Sequence, residues 1–291
     1  MHSFFNGTNS VNAGSWDAIY ARYLSDIFSQ GDDFEGRNGA TKSLFGASAT
    51  ADLRRGFPLI RLRKMPFKNL IREFLFDIGK DQNVEALGPA RHFWDFLADK
   101  EGYLGASAYN RQWRMWPQSA PGASVRNEQL ENLQSVDQLK HTIEELRKSP
   151  NTRRATVITH NPTAIDPACP PCHLAMQFTP RPDGSLDMMV PARSNDMVVG
   201  FPLDIARYGI ILTVVARASF KEPGRVYMPS SNSHIYENCY EIAEQLIKRP
   251  AKSECHLVLD EAWDGDIDTL TLDSFSLEDY NPEPAIKIAV N

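Results

Sequence analysis

Residues 193–208 read RSNDMVVGFPLDIARY, a polar cluster followed by an apolar segment that leads into a longer apolar run. The polar cluster 193–196 comes directly after apolar residues 186–190, where four polar side chains in succession are costly unless they have a function. Residues 205–220 are nearly all apolar, which predicts a central buried helix. This stretch therefore places candidate functional side chains beside a helix of the core.

The segments around this stretch mix strands with helices. Helical spacing and start signals predict helices at 16–27, at 67–78, after a Ser-x-x-Gln capping box at 135–138, and at 236–247. Short apolar or alternating runs predict strands at 56–60, 155–158, 174–178 and 186–190, with a hairpin turn at 182–184. Because strands and helices do not alternate strictly, we expect an α+β fold, with one domain spanning 1–291.

Composition narrows the class of protein further. The 291 residues carry a formal charge of −6, which gives no global field for a polyanion and disfavours a general nucleic-acid binder. The sequence shows no signal peptide and no apolar stretch of about 18 residues, so we expect a cytoplasmic protein without a membrane segment. Four cysteines are too few for a disulfide scaffold, which favours free thiols.

The sequence CPPCH at 169–173 fits several kinds of site. Covalent haem attachment needs an exported chain, and zinc needs a second ligand pair, which the spacing of Cys239 and Cys255 does not supply. A redox pair of Cys169 and Cys172 stays open, as does an ordinary buried thiol. A functional interpretation of Cys172 therefore depends on further residues.

Those residues follow in order: PCH at 171–173, QF at 177–178, RSND at 193–196, GFPLDIARY at 200–208 and HIY at 234–236. Together they resemble the thymidylate synthase family, including its cytidylate-modifying relatives. The resemblance runs from about residue 37 to the end and includes LFG at 44–46, GFPL at 56–59, Glu73, WD at 94–95, QWRMWP at 112–117, DQL at 137–139, RR at 153–154 and PAIKIAV at 284–290. It implies a mixed sheet packed by helices, with one sheet face forming a homodimer interface.

The chemistry that the resemblance implies is covalent. Carbon 5 of a pyrimidine is a poor nucleophile until a thiolate adds at carbon 6, and Cys172 would supply that thiolate. Arg193 would lower the pKa of the thiol, because a nearby cation favours the thiolate. Glu73, a carboxyl on an otherwise apolar helix, would be the general acid and base, and Tyr109 completes the implied catalytic set.

The resemblance also implies where the ligands bind. The phosphate of the nucleotide would meet Arg37, Arg193 and Ser194, with Arg153 and Arg154 reaching across the dimer interface. Arg37 could equally be a solvated loop arginine. The rest of the nucleotide would contact His173, Gln177, Asn195, Asp196, His234 and Tyr236. The one-carbon donor, 5,10-methylenetetrahydrofolate, would lie against Trp94, Leu97, Asp196, Gly200, Leu203 and Val290; no metal is expected.

Asp204 is the informative departure, because thymidylate synthases have Asn where this carboxyl stands. An amide can donate to uracil O4 and accept from N3–H, whereas an ionised carboxylate accepts from cytosine N4–H and from a protonated N3. An Asp here resembles the deoxycytidylate hydroxymethylases of viruses that modify their DNA, which predicts dCMP as substrate and, by that precedent, the host cytoplasm during phage infection.

Three products are ranked on these features. 5-Hydroxymethyl-dCMP comes first on the precedent of Asp204, and reductive methylation to 5-methyl-dCMP with dihydrofolate comes second. The second has support in the tail 284–290, which resembles the synthase tail that excludes water. Thymidylate formation from dUMP ranks third. A catalytically idle relative that binds nucleotide or RNA is the alternative from another class of protein, and it is disfavoured because every core catalytic position is filled.

Overall fold

The computed structural model describes residues 14–36, 38–106, 108–117, 135–162 and 171–288. Its α-helices are α1 (Trp16–Gln30), α2 (Phe67–Ile78), α3 (Tyr109–Arg114), α4 (Gln138–Lys148), α5 (Phe201–Ala218) and α6 (Tyr240–Lys248). Its strands are β1 (Asp32–Gly36), β2 (Gly39–Phe45), β3 (Ser48–Asp52), β4 (Trp116–Pro117), β5 (Ser135–Val136), β6 (Thr156–Ile158), β7 (Ala175–Pro180), β8 (Ser185–Met189), β9 (Asn195–Asp196), β10 (Glu222–Pro229), β11 (Asn232–Tyr236), β12 (His256–Leu259) and β13 (Phe275–Glu278).

Two sheets carry most of these strands. The larger has the order β3, β10, β8, β7, β6, and only its β10–β8 pair is parallel. The second has the order β1, β2, β11, β9, with β11 and β9 parallel. Mixed sheets packed by helices confirm the expected α+β class and are consistent with a thymidylate synthase-like fold.

Helix α5 fills the centre of the core. It packs against β8 and β10, and its residues from Ile205 to Ala218 are almost all buried. The apolar run in the sequence follows from this position, because a helix covered on every side carries apolar residues all round. Asp204 and Arg207 lie in its first two turns, so the polar end of the helix faces the loops that follow the strands.

The hairpin β7–β8 fixes which residues of the large sheet face the core. Gly184 closes the turn with φ of 85°, a left-handed conformation that glycine adopts without strain. Met176 and Phe178 are buried and face the core. Gln177 lies between them on the opposite sheet face, where it pairs with Met189 of β8, and Met189 pairs with Tyr227 of β10. Met189 and Tyr227 are 36% and 40% exposed, so alternate residues leave one sheet face partly apolar and open.

Several local expectations differ from the structure. Residues 56–60 are buried but form only a single bridge, Phe57 to Cys255, instead of a strand. Helix α4 is capped by the Asp137 carboxylate, which accepts from the Lys140 N–H, so Ser135 is not the cap. Tyr236 ends β11 and the next α-helix starts at Tyr240. In the described ranges, no helix is both long and apolar enough to cross a membrane.

Candidate active site

Cys172 lies on the segment before β7 and is held against Arg193, on the segment after β8. The Arg193 N–H donates to the Cys172 carbonyl at 2.9 Å, and its Nε donates to the Pro171 carbonyl at 3.0 Å. The guanidinium Nη2 reaches Cys172 Sγ at 3.5 Å. Two adjoining loop segments thus place a cation directly on a partly buried thiol.

Burial raises the pKa of the Cys172 thiol above its ordinary value. Arg193 and Arg207 lower this pKa and Asp204 raises it, but the loss of hydration is the largest of these effects. The predicted contact between Arg193 and the thiol is present, and its charge lowers the pKa of Cys172, so Arg193 limits how far burial raises that pKa.

We expect the rate of alkylation of Cys172 by iodoacetamide to keep rising with pH beyond the range in which an ordinary free cysteine reaches its plateau, since only the thiolate reacts and burial raises the pKa of this thiol. Arg193→Gln removes a charge that lowers this pKa, so its reaction at pH 7.5 is expected to be slower than in the parent protein. The rate would be measured by mass spectrometry in a Cys169→Ser background, so that Cys172 carries the only label in its peptide. A rate already on its plateau at pH 7 would contradict the raised pKa.

A buried cluster of charges lies behind the thiol, and we call it the Arg207 cluster: Arg207, Glu73, Asp77 and Asp204. Nη1 of Arg207 donates to Glu73 Oε1 at 3.0 Å and to Asp77 Oδ2 at 2.9 Å. Nη2 donates to Asp204 Oδ1 at 2.9 Å. Burial raises the pKa of each of the three carboxyls, and that of Asp77 reaches about 7.

His173 connects this cluster to the thiol segment. Its ring is buried, and Nδ1 shares a hydrogen bond of 3.1 Å with the Tyr109 hydroxyl. Nε2 lies 3.7 Å from Asp204 Oδ2. Burial and the charges of Arg207 and Arg193 lower the pKa of His173 well below its ordinary value, so the imidazole is neutral. Tyr109 and His173 therefore act as neutral hydrogen-bonding groups beside Asp204.

Glu73 connects the Arg207 cluster to Trp94, which packs against a second apolar cluster. Burial raises its pKa, while Arg207 and a hydrogen bond with Trp94 oppose that rise. Trp94 and Leu97 are partly buried and pack against a cluster that includes Phe76 and Val84. A carboxyl with a raised pKa beside a partly exposed indole can exchange protons with a ligand lying on that indole.

The predicted sugar and folate residues on the second sheet lie close together. Strand pairing places His234 beside Asp196, and the rings of His234 and Tyr236 meet edge to face at 4.9 Å. Asp196 Oδ1 accepts from the N–H groups of Val198 and Val199 at 2.9 and 3.1 Å, which fixes its carboxylate. Burial raises the pKa of Asp196 and lowers that of His234.

Gly200 and Leu203 begin α5 beside these groups. An added Cβ at Gly200 would lie 3.5 Å from Asp204 Oδ2, so this glycine lies next to the Asp204 carboxyl. Asn195 is buried on β9, and Ser194 precedes it directly after Arg193. The polar run 193–196 and the start of α5 are thus brought together, as their order in the sequence suggested.

Other predicted residues do not join this assembly within one chain. Gln177 lies on the open face of the large sheet, because its neighbours on β7 point into the core. Arg153 and Arg154 are exposed on the segment between α4 and β6. Arg37, Cys169 and Val290 lie outside the described residues.

Sequence reasoning gave no role to Arg207 and passed over Asp77 entirely. A signal was available, because Glu73 and Asp77 are four residues apart on α2 and therefore share a helix face. Asp204 and Arg207 are three apart on α5 and share a face as well. Two acids on one apolar helix and an acid with a base on another predict a buried ion-pair cluster.

Comparison with protein-family models adds an independent finding to this geometry. The model described as "Thymidylate synthase" matches residues 18–291. The chain belongs to the thymidylate synthase family. Members are transferases that move a one-carbon unit to carbon 5 of a nucleotide, and 5,10-methylenetetrahydrofolate is the donor.

The residues around Glu73 fit a reduced folate. Trp94 and Leu97 offer a partly exposed aromatic and apolar surface, and the Asp196 carboxylate is an acceptor for pterin N–H groups. Bound there, the folate supplies the one-carbon unit.

Proposed function

We propose that this chain hydroxymethylates dCMP at carbon 5. The observation that carries the proposal is the Asp204 carboxyl, bound by Arg207 and placed 3.7 Å from His173, the residue next to Cys172. A base whose carbon 6 meets Cys172 Sγ presents its other edge toward this carboxyl. Asp204 is thus the candidate reader of the base.

Cytosine suits this carboxyl better than uracil does. Its N4 amino group donates to one carboxylate oxygen, and N3 takes up a proton and donates to the other. Because burial raises the pKa of Asp204, the carboxyl can carry that proton and pass it to N3. Thiol addition at carbon 6 is then assisted, because the positive charge on the base draws electrons from the bond under attack.

The remaining residues have roles that follow from their positions. Cys172 Sγ forms a bond to carbon 6 and loses its proton, and Arg193 stabilises the thiolate as it forms. Carbon 5 then bonds to the one-carbon unit and loses its own proton, for which Glu73, whose pKa is raised by burial, is the candidate base. As that proton leaves, the bond between the transferred carbon and the folate nitrogen breaks, which would release tetrahydrofolate and leave an exocyclic methylene at carbon 5. Water adds to this methylene, and release of Cys172 from carbon 6 gives the hydroxymethyl product.

Reductive methylation is the second candidate, and packing of the tail favours it. Ile286 and Ile288 are partly buried against the main core, and the Pro284 carbonyl accepts from Arg249 Nη1 at 3.1 Å. A tail held against the body of the protein can exclude water from the methylene intermediate. A hydride from the tetrahydrofolate, in place of water, would then give 5-methyl-dCMP and dihydrofolate.

We also propose that the open face of the large sheet pairs with a second copy of the chain. Ile158, Met189 and Tyr227 are each at least 36% exposed, and adjacent exposed apolar side chains are typical of an interface. Arg153 and Arg154, which extend into solvent, would then reach the phosphate bound by the partner. Gln177 would lie in this interface, so its predicted contact with the nucleotide would require the second copy.

The product assay separates these candidates. Purified protein would be incubated with methylenetetrahydrofolate and either dCMP or dUMP, with mass spectrometry of the nucleotide and absorbance for dihydrofolate. We expect hydroxymethyl-dCMP without dihydrofolate. Methyl-dCMP with stoichiometric dihydrofolate would favour the second candidate, and turnover of dUMP alone would overturn the assignment of Asp204.

A further inference from the structure

The Arg207 cluster contains one buried cation and three carboxyls. If all were ionised, the four groups would carry a net charge of −2 in a region with little water, which is strongly unfavourable. Asp77 is the most deeply buried carboxyl, with a side chain 2% exposed, and Asp204 is the least, at 23%. Of the three carboxyls, Asp204 is therefore the one that gives up its proton most readily, and its carboxylate then balances the charge of Arg207.

Among the described residues, Arg207 is the only cation within salt-bridge distance of Asp204, because the nearby His173 ring is neutral. The titratable groups that face Arg207 and Asp204 are Glu73 and Asp77 on α2, Tyr109 on α3, Tyr208 on α5, Cys172 and His173 before β7, and Asp196 on β9. Of these groups, none brings a positive charge. The state of the Asp204 carboxyl thus depends on Arg207.

We infer that Arg207 is a specificity-determining residue, which selects cytosine by requiring Asp204 to be a carboxylate when the base is bound. This inference rests on the proposed function. With cytosine, Asp204 passes its proton to N3 and the carboxylate pairs with both the base and Arg207. With uracil, N3 already carries a proton and O4 needs a donor, so Asp204 must stay neutral and Arg207 loses its pairing with the Asp204 carboxylate.

Removal of Arg207 should therefore raise binding and turnover of dUMP relative to those of dCMP. A neutral Asp204 can donate from one oxygen and accept at the other, and this pattern complements uracil. Other effects of the substitution, through Cys172 or Glu73, act on both bases. They cancel in the ratio of the two nucleotides, which makes that ratio the informative measurement.

Asp77 provides the means to test Arg207 without leaving a buried charge unpaired. The double variant Asp77→Asn/Arg207→Gln removes one positive and one negative charge together, and Asp77→Asn alone is the matched control. We expect the dCMP to dUMP ratio of kcat/KM, and of binding affinity by calorimetry, to fall roughly tenfold or more in the double variant relative to the control. Asp77→Asn alone should keep the preference for dCMP.

Arg207→Lys is the second variant, because it keeps the charge and loses the planar fork. It is expected to retain the dCMP preference even where kcat falls. A double variant whose ratio stays within about twofold of the control, or a lysine variant that loses the preference as fully as the double variant, would overturn the role of Arg207. Wild-type protein that prefers dUMP would overturn the proposed function itself, and this outcome is distinguishable from both.

Discussion

Cys172→Ser is expected to abolish nucleotide turnover, with a loss of at least roughly 10⁴-fold in kcat. The serine hydroxyl is similar in size, but its proton is far harder to remove, so the bond to carbon 6 does not form. Burial in this site makes deprotonation harder still, because it raises the pKa even of the native thiol. The measurement is single-turnover conversion of dCMP, with trapping of the covalent adduct followed by mass spectrometry.

The control for this experiment is Cys169→Ser. A redox or metal role for CPPCH requires both thiols, so that hypothesis expects the two variants to fail equally. The transferase hypothesis expects only Cys172→Ser to fail. Nucleotide binding should survive in Cys172→Ser, because the groups proposed to hold phosphate and base remain. Substantial turnover by Cys172→Ser would remove Cys172 as the nucleophile.

The sequence predicted the elements whose periodicity reflects burial. Helix α2 has the predicted bounds, and α5 follows the apolar run within a few residues at either end. The strands between 32 and 52 were missed, because their residues are mostly polar or small and carry no clear alternation. Their pairing comes instead from contacts with distant strands, since β2 joins β11 and β3 joins β10.

The residues of the candidate site were likewise predicted only in part from the sequence. Motif order predicted that Cys172, Arg193 and Asp204 belong to one site. In the structure Arg193 Nη2 lies 3.5 Å from Cys172 Sγ, and Asp204 lies 3.7 Å from His173, the residue next to Cys172. The pKa of Cys172 could not be predicted, because it depends on how much water the folded loops exclude. Arg207 and Asp77 come from separate helices. Their spacing shows which residues share a face on each helix, but the packing of α2 on α5 decides that the two faces meet.

Asp204→Asn is expected to shift the preference from dCMP toward dUMP, changing the ratio of kcat/KM by roughly a thousandfold. The amide can donate to O4 and accept from N3–H of uracil, but it has no proton to give to N3 of cytosine. Turnover of dCMP should therefore fall through kcat more than through KM, since N3 protonation assists the thiol addition itself.

Asp196→Asn is the matched comparison, because it is the same chemical change at a neighbouring carboxyl assigned to the folate side. It is expected to raise the KM for methylenetetrahydrofolate for both nucleotides and to leave their ratio unchanged. If Asp204→Asn keeps the dCMP preference, then base recognition lies elsewhere and Asp204 serves only the Arg207 cluster. If both variants change the dCMP to dUMP ratio equally, the effect comes from the charge of the pocket as a whole. The proposal that Asp204 contacts the base directly would then be wrong.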